Sequence, residues 1–196
     1  METKSKTWKS YYSQMPSGSD AVFARTMLPG EYTCAMQVMV HEGLLDNCKN
    51  IIEIGGGFGG LAMLVLSYGK LDHYIDIDHL EMFEHFEKNI KSIGIKDDCC
   101  VFFNAEKIAG NLTLLSPSDL LITMNCLSEV PREYLQFIID NVFPLTNTLY
   151  VVDGPTSGYP EFWDVLQHGI DGIFRNKRIS VFNRNKDTYS IIARRK

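Results

Sequence analysis

The 196-residue chain has no apolar run near the roughly 18 residues that cross a bilayer, and its start, METKSKTWKS, lacks the apolar core of a secretory signal. No membrane partner is expected, and the expected location is the cytoplasm. It has no dense Lys/Arg run, only the short Arg194, Arg195, Lys196 end, and its net charge is −5. Electrostatic binding to a phosphate backbone is therefore disfavoured, so no nucleic-acid partner is expected and a small-molecule substrate is preferred. There is no C-x-x-C pair, and the five cysteines are odd in number. This argues against a disulfide framework or a zinc site and leaves Cys34, Cys48, Cys99, Cys100 and Cys126 as small buried hydrophobes kept reduced. No repeat or low-complexity segment is visible, and no metal ligand set stands out; Asp153 with Asp164 or Asp171 is unspecific.

What is present is an ordinary globular composition, 45% apolar, enough for one domain with small decorations. Residues 1–48 read as an N-terminal helical arm or lid, loose over the first 20, then helical from Asp20 to about Asn47 with a break at Pro29-Gly30. From residue 49 onward, strand-like and helix-like segments alternate. Ile51 to Ile54 is a short β-branched strand, Gly59 to Ser67 suits a helix, and HYIDID is a second strand. HLEMFEHFEKNIKSIG is a helix with Leu80, Phe83, Phe86, Ile90 and Ile93 at helical spacing. CCVFF, DLLITM and TLYVVD are further strands, with helices opening at Pro131 and in PEFWDVLQHGI. The tail, KRISVFN and TYSIIARR about a tight turn, is an antiparallel hairpin. Five βα units and a hairpin predict an α/β, Rossmann-like, doubly wound and mostly parallel seven-stranded sheet with one reversed strand at its end.

In such a sheet a ligand lies beyond the carboxyl ends of the strands, so the loop after the first strand is the candidate cofactor loop. That loop, IGGGFGG, fits two patterns. Gly55, Gly57 and Gly60 fit the dinucleotide pattern G-x-G-x-x-G, whereas Glu53, Gly55, Gly57 and Gly59 fit E-x-G-x-G-x-G, the pattern of S-adenosylmethionine sites. The chain also looks like the opening of flavin- and nicotinamide-dependent oxidoreductases. Glu53 opposes that reading, because a carboxylate beside a pyrophosphate is repelled by several kcal/mol in a low-dielectric site. A cationic ligand such as S-adenosylmethionine suits it. About 50 residues precede the glycines and roughly 135 follow, too few for the second nucleotide domain of those oxidoreductases. The closing hairpin is a feature of class I methyltransferases that nicotinamide folds lack.

EIGGGFGGLA, YIDIDHLE and DLLITMNCLSEVP, covering about Asn50 to Asp153, together resemble the sugar O-methyltransferase family within the class I S-adenosylmethionine-dependent methyltransferases. The resemblance implies that Glu53, Gly55, Gly56, Gly57 and Gly59 hold the cofactor. It also implies that Asn125 borders the cofactor and that Ser128 and Glu129 lie at the catalytic mouth. A second-strand acid would bind both ribose hydroxyls. Asp76 and Asp78 are both candidates, with typical class I spacing favouring Asp76. Asn104, Ala105 and Glu106 occupy the place where such enzymes recognise adenine, by a short polar side chain and a backbone N–H. The chain departs from the family at Val130, which replaces a methionine, in the short run LDHY, and in its smaller N-terminal part.

O-methylation needs a base to take the acceptor hydroxyl's proton. Glu129 is the first candidate, its competing reading being a cap on the helix after Pro131. His168 is the second, because QHG ends the helix after strand five. His41, His73, His79 and His85 read as surface or packing residues. Asp153, Tyr159 and Trp163 follow strand five and are candidates to line an acceptor groove, Trp163 more plausibly as core. Tyr11, Tyr12 and Arg25 are candidates for a lid over the cofactor. The expected function is S-adenosylmethionine-dependent methylation of a small hydroxylated acceptor such as a sugar. The alternatives are an FAD- or NAD-binding oxidoreductase and a methyltransferase-like scaffold without turnover.

Overall fold

The computed structural model describes residues 29–68, 70–94, 99–154, 160–183 and 187–195. A helix α1 (Pro29–His41) precedes β1 (Asn50–Ile54), α2 (Gly60–Tyr68), β2 (His73–Asp78), a 3-10 turn (Leu80–Met82) and α3 (Phe83–Ser92). Then come β3 (Cys100–Asn104), β4 (Ser118–Met124), α4 (Arg132–Asn141), β5 (Thr146–Asp153), α5 (Phe162–Ile173), β6 (Asn176–Asn183) and β7 (Thr188–Arg194). The strands form one seven-stranded sheet in the order β3-β2-β1-β4-β5-β7-β6. β7 runs antiparallel to both neighbours, and the other pairings are parallel. The doubly wound sheet with its reversed strand is the architecture read from the alternation of segments.

Two-residue periodicity divides the core. Ile52, Ile54, Leu121, Leu149 and Val151 face α4 and α5, packing with Leu135, Ile138, Phe162, Leu166 and Ile170. Their neighbours Ile51, Leu120, Ile122, Tyr150 and Val152 face the other way, against Ala35 and Met39 of α1, Leu61, Ala62 and Val65 of α2, and Phe86 and Ile90 of α3. Because alternate residues share a face, Glu53 of β1 and Tyr74, Asp76 and Asp78 of β2 belong to this second side. At the opposite end of the sheet, the Asp119 carboxylate accepts the N–H groups of Lys49 (2.8 Å) and Asn50 (2.9 Å), fixing the start of β1 against β4.

Three local expectations change. Pro29-Gly30 opens α1 rather than separating two described helices, because Pro is well placed in the first helical turn, where its missing N–H costs nothing. The third crossover has no α-helix: two 3-10 turns, Ala105–Gly110 and Leu112–Leu114, join β3 to β4. The helix after β2 begins with a separate 3-10 turn before α3, so HLEMFEHFEKNIKSIG is two elements. Residues 1–28, with Tyr11, Tyr12 and Arg25, lie outside the described residues, as does the expected substrate residue Tyr159. No helix among the described residues is long and apolar enough to cross a membrane.

α4 and α5 approach closely at Gly169, where an added Cβ would lie 2.6 Å from Cγ2 of Ile139. Helix propensity alone would make Gly169→Ala stabilising by about 1 kcal/mol. The contact reverses the sign: the expected outcome is a loss of about 1–3 kcal/mol in urea denaturation, and a smaller loss from Gly169→Ala when it is measured in an Ile139→Ala background.

Candidate active site

The turn after β1 folds back over the ends of β1 and β2. Gly55 has φ +76° and donates its N–H to the Ile77 carbonyl at 2.9 Å. A Cβ there would sit 2.4 Å from the Cys126 sulfur, so both the backbone and the space require glycine. At Gly56 the obstacle is electrostatic as well as steric: a Cβ would meet Asp76 Oδ1 at 2.5 Å and Glu53 Oε2 at 2.8 Å. The turn is tied down from below. Gly56 N–H donates to Asp76 Oδ1 (3.1 Å), and Gly57 N–H donates to Asp78 Oδ2 (2.6 Å).

Above the turn lies a cleft of about 460 Å³. Gly55, Gly57, Asp78, Ala105, Glu106, Asn125 and Glu129 line it, so these expected site residues from the ends of four strands are brought together. Asn125 has φ +49°, a conformation Asn tolerates better than most side chains, and its N–H donates to Val152 O at 2.7 Å. Glu129 stands at the rim, and its carboxylate has no hydrogen bond or ion pair among the described residues. Neither is it a helix cap, since Pro131 holds the N-cap position of α4 without a side-chain bond. Crowding by neighbouring atoms pushes its pKa up.

Other expected residues lie elsewhere. Glu53 and Asp76 do not reach the cleft wall; they are 2% and 0% exposed, behind the turn. Of the two second-strand acids, Asp78 lines the cleft although spacing favoured Asp76, because the turn closes over the sheet between their depths. Gly56 and Gly59 face inward, against the two carboxylates and the Phe86 ring respectively. Asn104 does not line the cleft: its Oδ1 accepts the Glu106 N–H at 3.0 Å, capping the 3-10 turn and occupying the N–H expected to read a ring edge.

Ser128 and Asp153, expected to touch substrate, are instead buried against each other. Ser128 donates from its hydroxyl to Asp153 Oδ1 (2.5 Å) and from its N–H to Oδ2 (3.1 Å), and Gly154 N–H adds a third donor (2.8 Å). His168 is exposed on α5 and outside the cleft lining, because the buried stripe Phe162, Leu166, Ile170 turns the next helical face away. Trp163 packs between Phe162 and Tyr189 at the edge of the core, as its apolar context implied.

The lining also includes residues to which the sequence gave no site role, among them Tyr32, Phe58, His79, Glu81, Cys126 and Tyr134. Tyr32 comes from α1 and packs on Gly60, a contact without a local signal. Tyr134 stands in the first turn of the helix that Pro131 opens, and its hydroxyl donates to the Ala105 carbonyl at 3.2 Å. Its position after DLLITMNCLSEVP was the available clue. Burial, then Asp78, Asp153, Glu129 and Asp76, hold the Cys126 thiol far above its ordinary pKa, so it is a packing group rather than a nucleophile.

Charge is one-sided here. The acidic side chains on the cleft wall are Asp78, Glu81, Glu106 and Glu129, and no Lys or Arg among the described residues joins them. Behind them burial pushes Glu53 up to about 7, a rise opposed by the Tyr74 hydroxyl, which donates to Oε2 at 2.5 Å, and aided by Asp78. Burial, then Glu53 and Asp78, push Asp76 well above the usual carboxylate range.

No protein-family model matches the chain, and no curated protein matches it. Solved structures do. A magnesium protoporphyrin IX methyltransferase from Synechocystis with bound SAM is 14% identical, with a TM-score of 0.66 over 97% of this chain and 92% of that one. The methyltransferase domain of bacterial CtHen1 is 13% identical, TM-score 0.65, over 85% and 100% of the two chains. An O-methyltransferase family protein from Burkholderia thailandensis is 15% identical, TM-score 0.61, over 81% of this chain and 55% of that one, so this chain spans about half its length. The fold is that of the class I methyltransferases.

The buried acids predict an unusual pH profile. Their folded-state values lie above the unfolded values near 4, so between the two the folded state binds more protons, and stability falls as pH rises from about 4.5 through about 7. The melting temperature of the unliganded protein is expected to drop over that window. Glu53→Gln should flatten the drop; an unchanged slope in the variant would assign it to other groups.

Proposed function

We propose that this chain is an S-adenosylmethionine-dependent methyltransferase that O-methylates a small hydroxylated acceptor, with a sugar as the class favoured by the sequence resemblance. The observation that carries the reading is the charge of the cleft, whose wall above the glycine turn offers four carboxylates and no cation among the described residues. A ligand with a sulfonium and an ammonium fits that wall. The pyrophosphate of FAD or NAD does not, nor does a phosphate backbone, because each would bring negative charge into a negative site of reduced dielectric. The Synechocystis fold neighbour, whose structure contains SAM, supports the same choice.

Asp78 is the residue to hold the ribose hydroxyls: it is the second-strand acid on the wall, and its two oxygens are already oriented by the N–H groups of Gly57 and His79, both at 2.6 Å. Gly57, where nothing lies within 4 Å of an added Cβ, leaves the backbone open to a ligand. Ala105 and Glu106 border the adenine end, steadied by Tyr134. S-adenosylmethionine supplies an activated methyl group, so the protein contributes orientation and a proton acceptor. Glu129 is that acceptor in our reading. Its carboxylate is uncommitted at the cleft rim, and its raised pKa brings it nearer the range useful to a base at neutral pH. The cytoplasm remains the expected location of such an enzyme.

Calorimetric titration with S-adenosylmethionine and S-adenosylhomocysteine beside NADH and FAD tests the cofactor. Binding of the first pair is expected, weakened about 10- to 100-fold by Asp78→Ala, the equivalent of lost hydrogen bonds to a charged group. NADH or FAD binding instead would sink the reading. Among hydroxylated sugars, turnover is expected with at least one, and Glu129→Gln should lower kcat by about 10²-fold or more while cofactor affinity stays within a few-fold. Cofactor binding without turnover on any acceptor would favour the scaffold alternative.

A further inference from the structure

We propose that Glu53 and Asp76 form a proton-holding floor beneath the glycine turn that distinguishes the sulfonium cofactor from its thioether product, because binding of the cation expels a proton from the pair and binding of the product does not. This rests on the cofactor assigned above and adds a specificity role for two side chains that line no part of the cleft.

The two carboxylates are direct partners in the β1–β2 register and share the side of the sheet that the turn covers. Both crowd the position that a side chain at Gly56 would occupy, directly behind the turn whose Gly55 and Gly57 border the cleft. Their donors are few. Glu53 has the Tyr74 hydroxyl and Asp76 has the backbone N–H groups of Gly56 and Ile77, while Asp76 Oδ2 is fully buried with no hydrogen-bond partner among the described residues. An oxygen without a donor is a poor seat for negative charge, and two neighbouring carboxylates in a dry site ionise together only at high cost.

The surrounding groups add no relief. Asp78 from the end of β2 faces both acids, Cys100 of β3 faces Tyr74, and Cys126 from the loop after β4 faces Asp76. None of these is a cation. Burial therefore leaves the pair holding a proton near neutrality. A ligand of net positive charge over Gly56 and Gly57 supplies the missing counter-charge, so the second carboxyl ionises and its proton passes to the buffer. After methyl transfer the sulfur is neutral, the counter-charge is gone, and the pair takes a proton back. The floor thus favours the charged substrate form increasingly as pH rises, while its hold on the product does not change with pH.

The test is calorimetry on the full chain at pH 7 in two buffers of different ionisation enthalpy, which counts protons released per ligand. The α-amino group of the ligand titrates near pH 8, so the count is taken as the difference between the native protein and Asp76→Asn, in which the ligand's own contribution is the same. The expected result is about half to one proton released with S-adenosylmethionine, close to none with S-adenosylhomocysteine, and roughly a tenfold tightening of the first Kd from pH 6 to 8 that Asp76→Asn abolishes. Glu53→Gln provides a second variant with the same expectation. Binding of S-adenosylmethionine with no difference between native and variant counts, or equal release with both ligands, overturns the floor while leaving the cofactor assignment intact. Absence of binding by either ligand overturns both.

Discussion

Everything at the carboxyl end of this sheet is arranged around carboxylates placed under a glycine turn. Glu53 and Asp76 fill the space that a side chain at Gly56 would need, and Asp76 and Asp78 accept the turn's own N–H groups. The turn therefore satisfies part of the acids' hydrogen-bonding demand, and the acids hold the turn in its conformation. Burial of this much like charge is costly. A fold retains it where a ligand gives some of the cost back, and the acidic, cation-poor wall above the turn is consistent with a positively charged one.

The opposite wall has a comparable device. Asp153 is 1% exposed and collects donors from Ser128 and Gly154, so the loop after β4 wraps around its carboxylate. With Asn125 in the left-handed region and Cys126 packed against Gly55, that wrapping turns Glu129 outward to the rim. Residues that look alike in sequence thus divide by depth into those that shape the wall and those that face the cleft. Fold neighbours at 13–15% identity share the fold, which by itself does not set what the cleft accepts.

Much of the architecture was legible because its signals are local. Alternation in HYIDID and helical spacing in FEHFEKNI are set by the geometry of one strand or helix, and β2 and the hairpin emerged where the pattern placed them. The β3–β4 crossover was less so: 3-10 turns are too short to leave a periodic trace, and the Asn104 cap there depends on one side chain turning back on its own backbone.

By itself the sequence determined the order of the strands, the parallel sheet with its reversed strand, and a glycine-rich loop with acids at the strand ends beside it, because each follows from short-range periodicity, glycine content or residue type. Only the tertiary structure decided which acid lines the cleft. Asp76 and Asp78 share one face of β2, and spacing favoured Asp76; the turn folding over β2 buries the first and leaves the second on the wall. Likewise Ser128 and Asp153, 25 residues apart, became a buried pair through the packing of β4 beside β5, and Tyr32 reached the cleft through the packing of α1 on α2. Depth below a surface is a property of chain segments brought together, which no single segment carries.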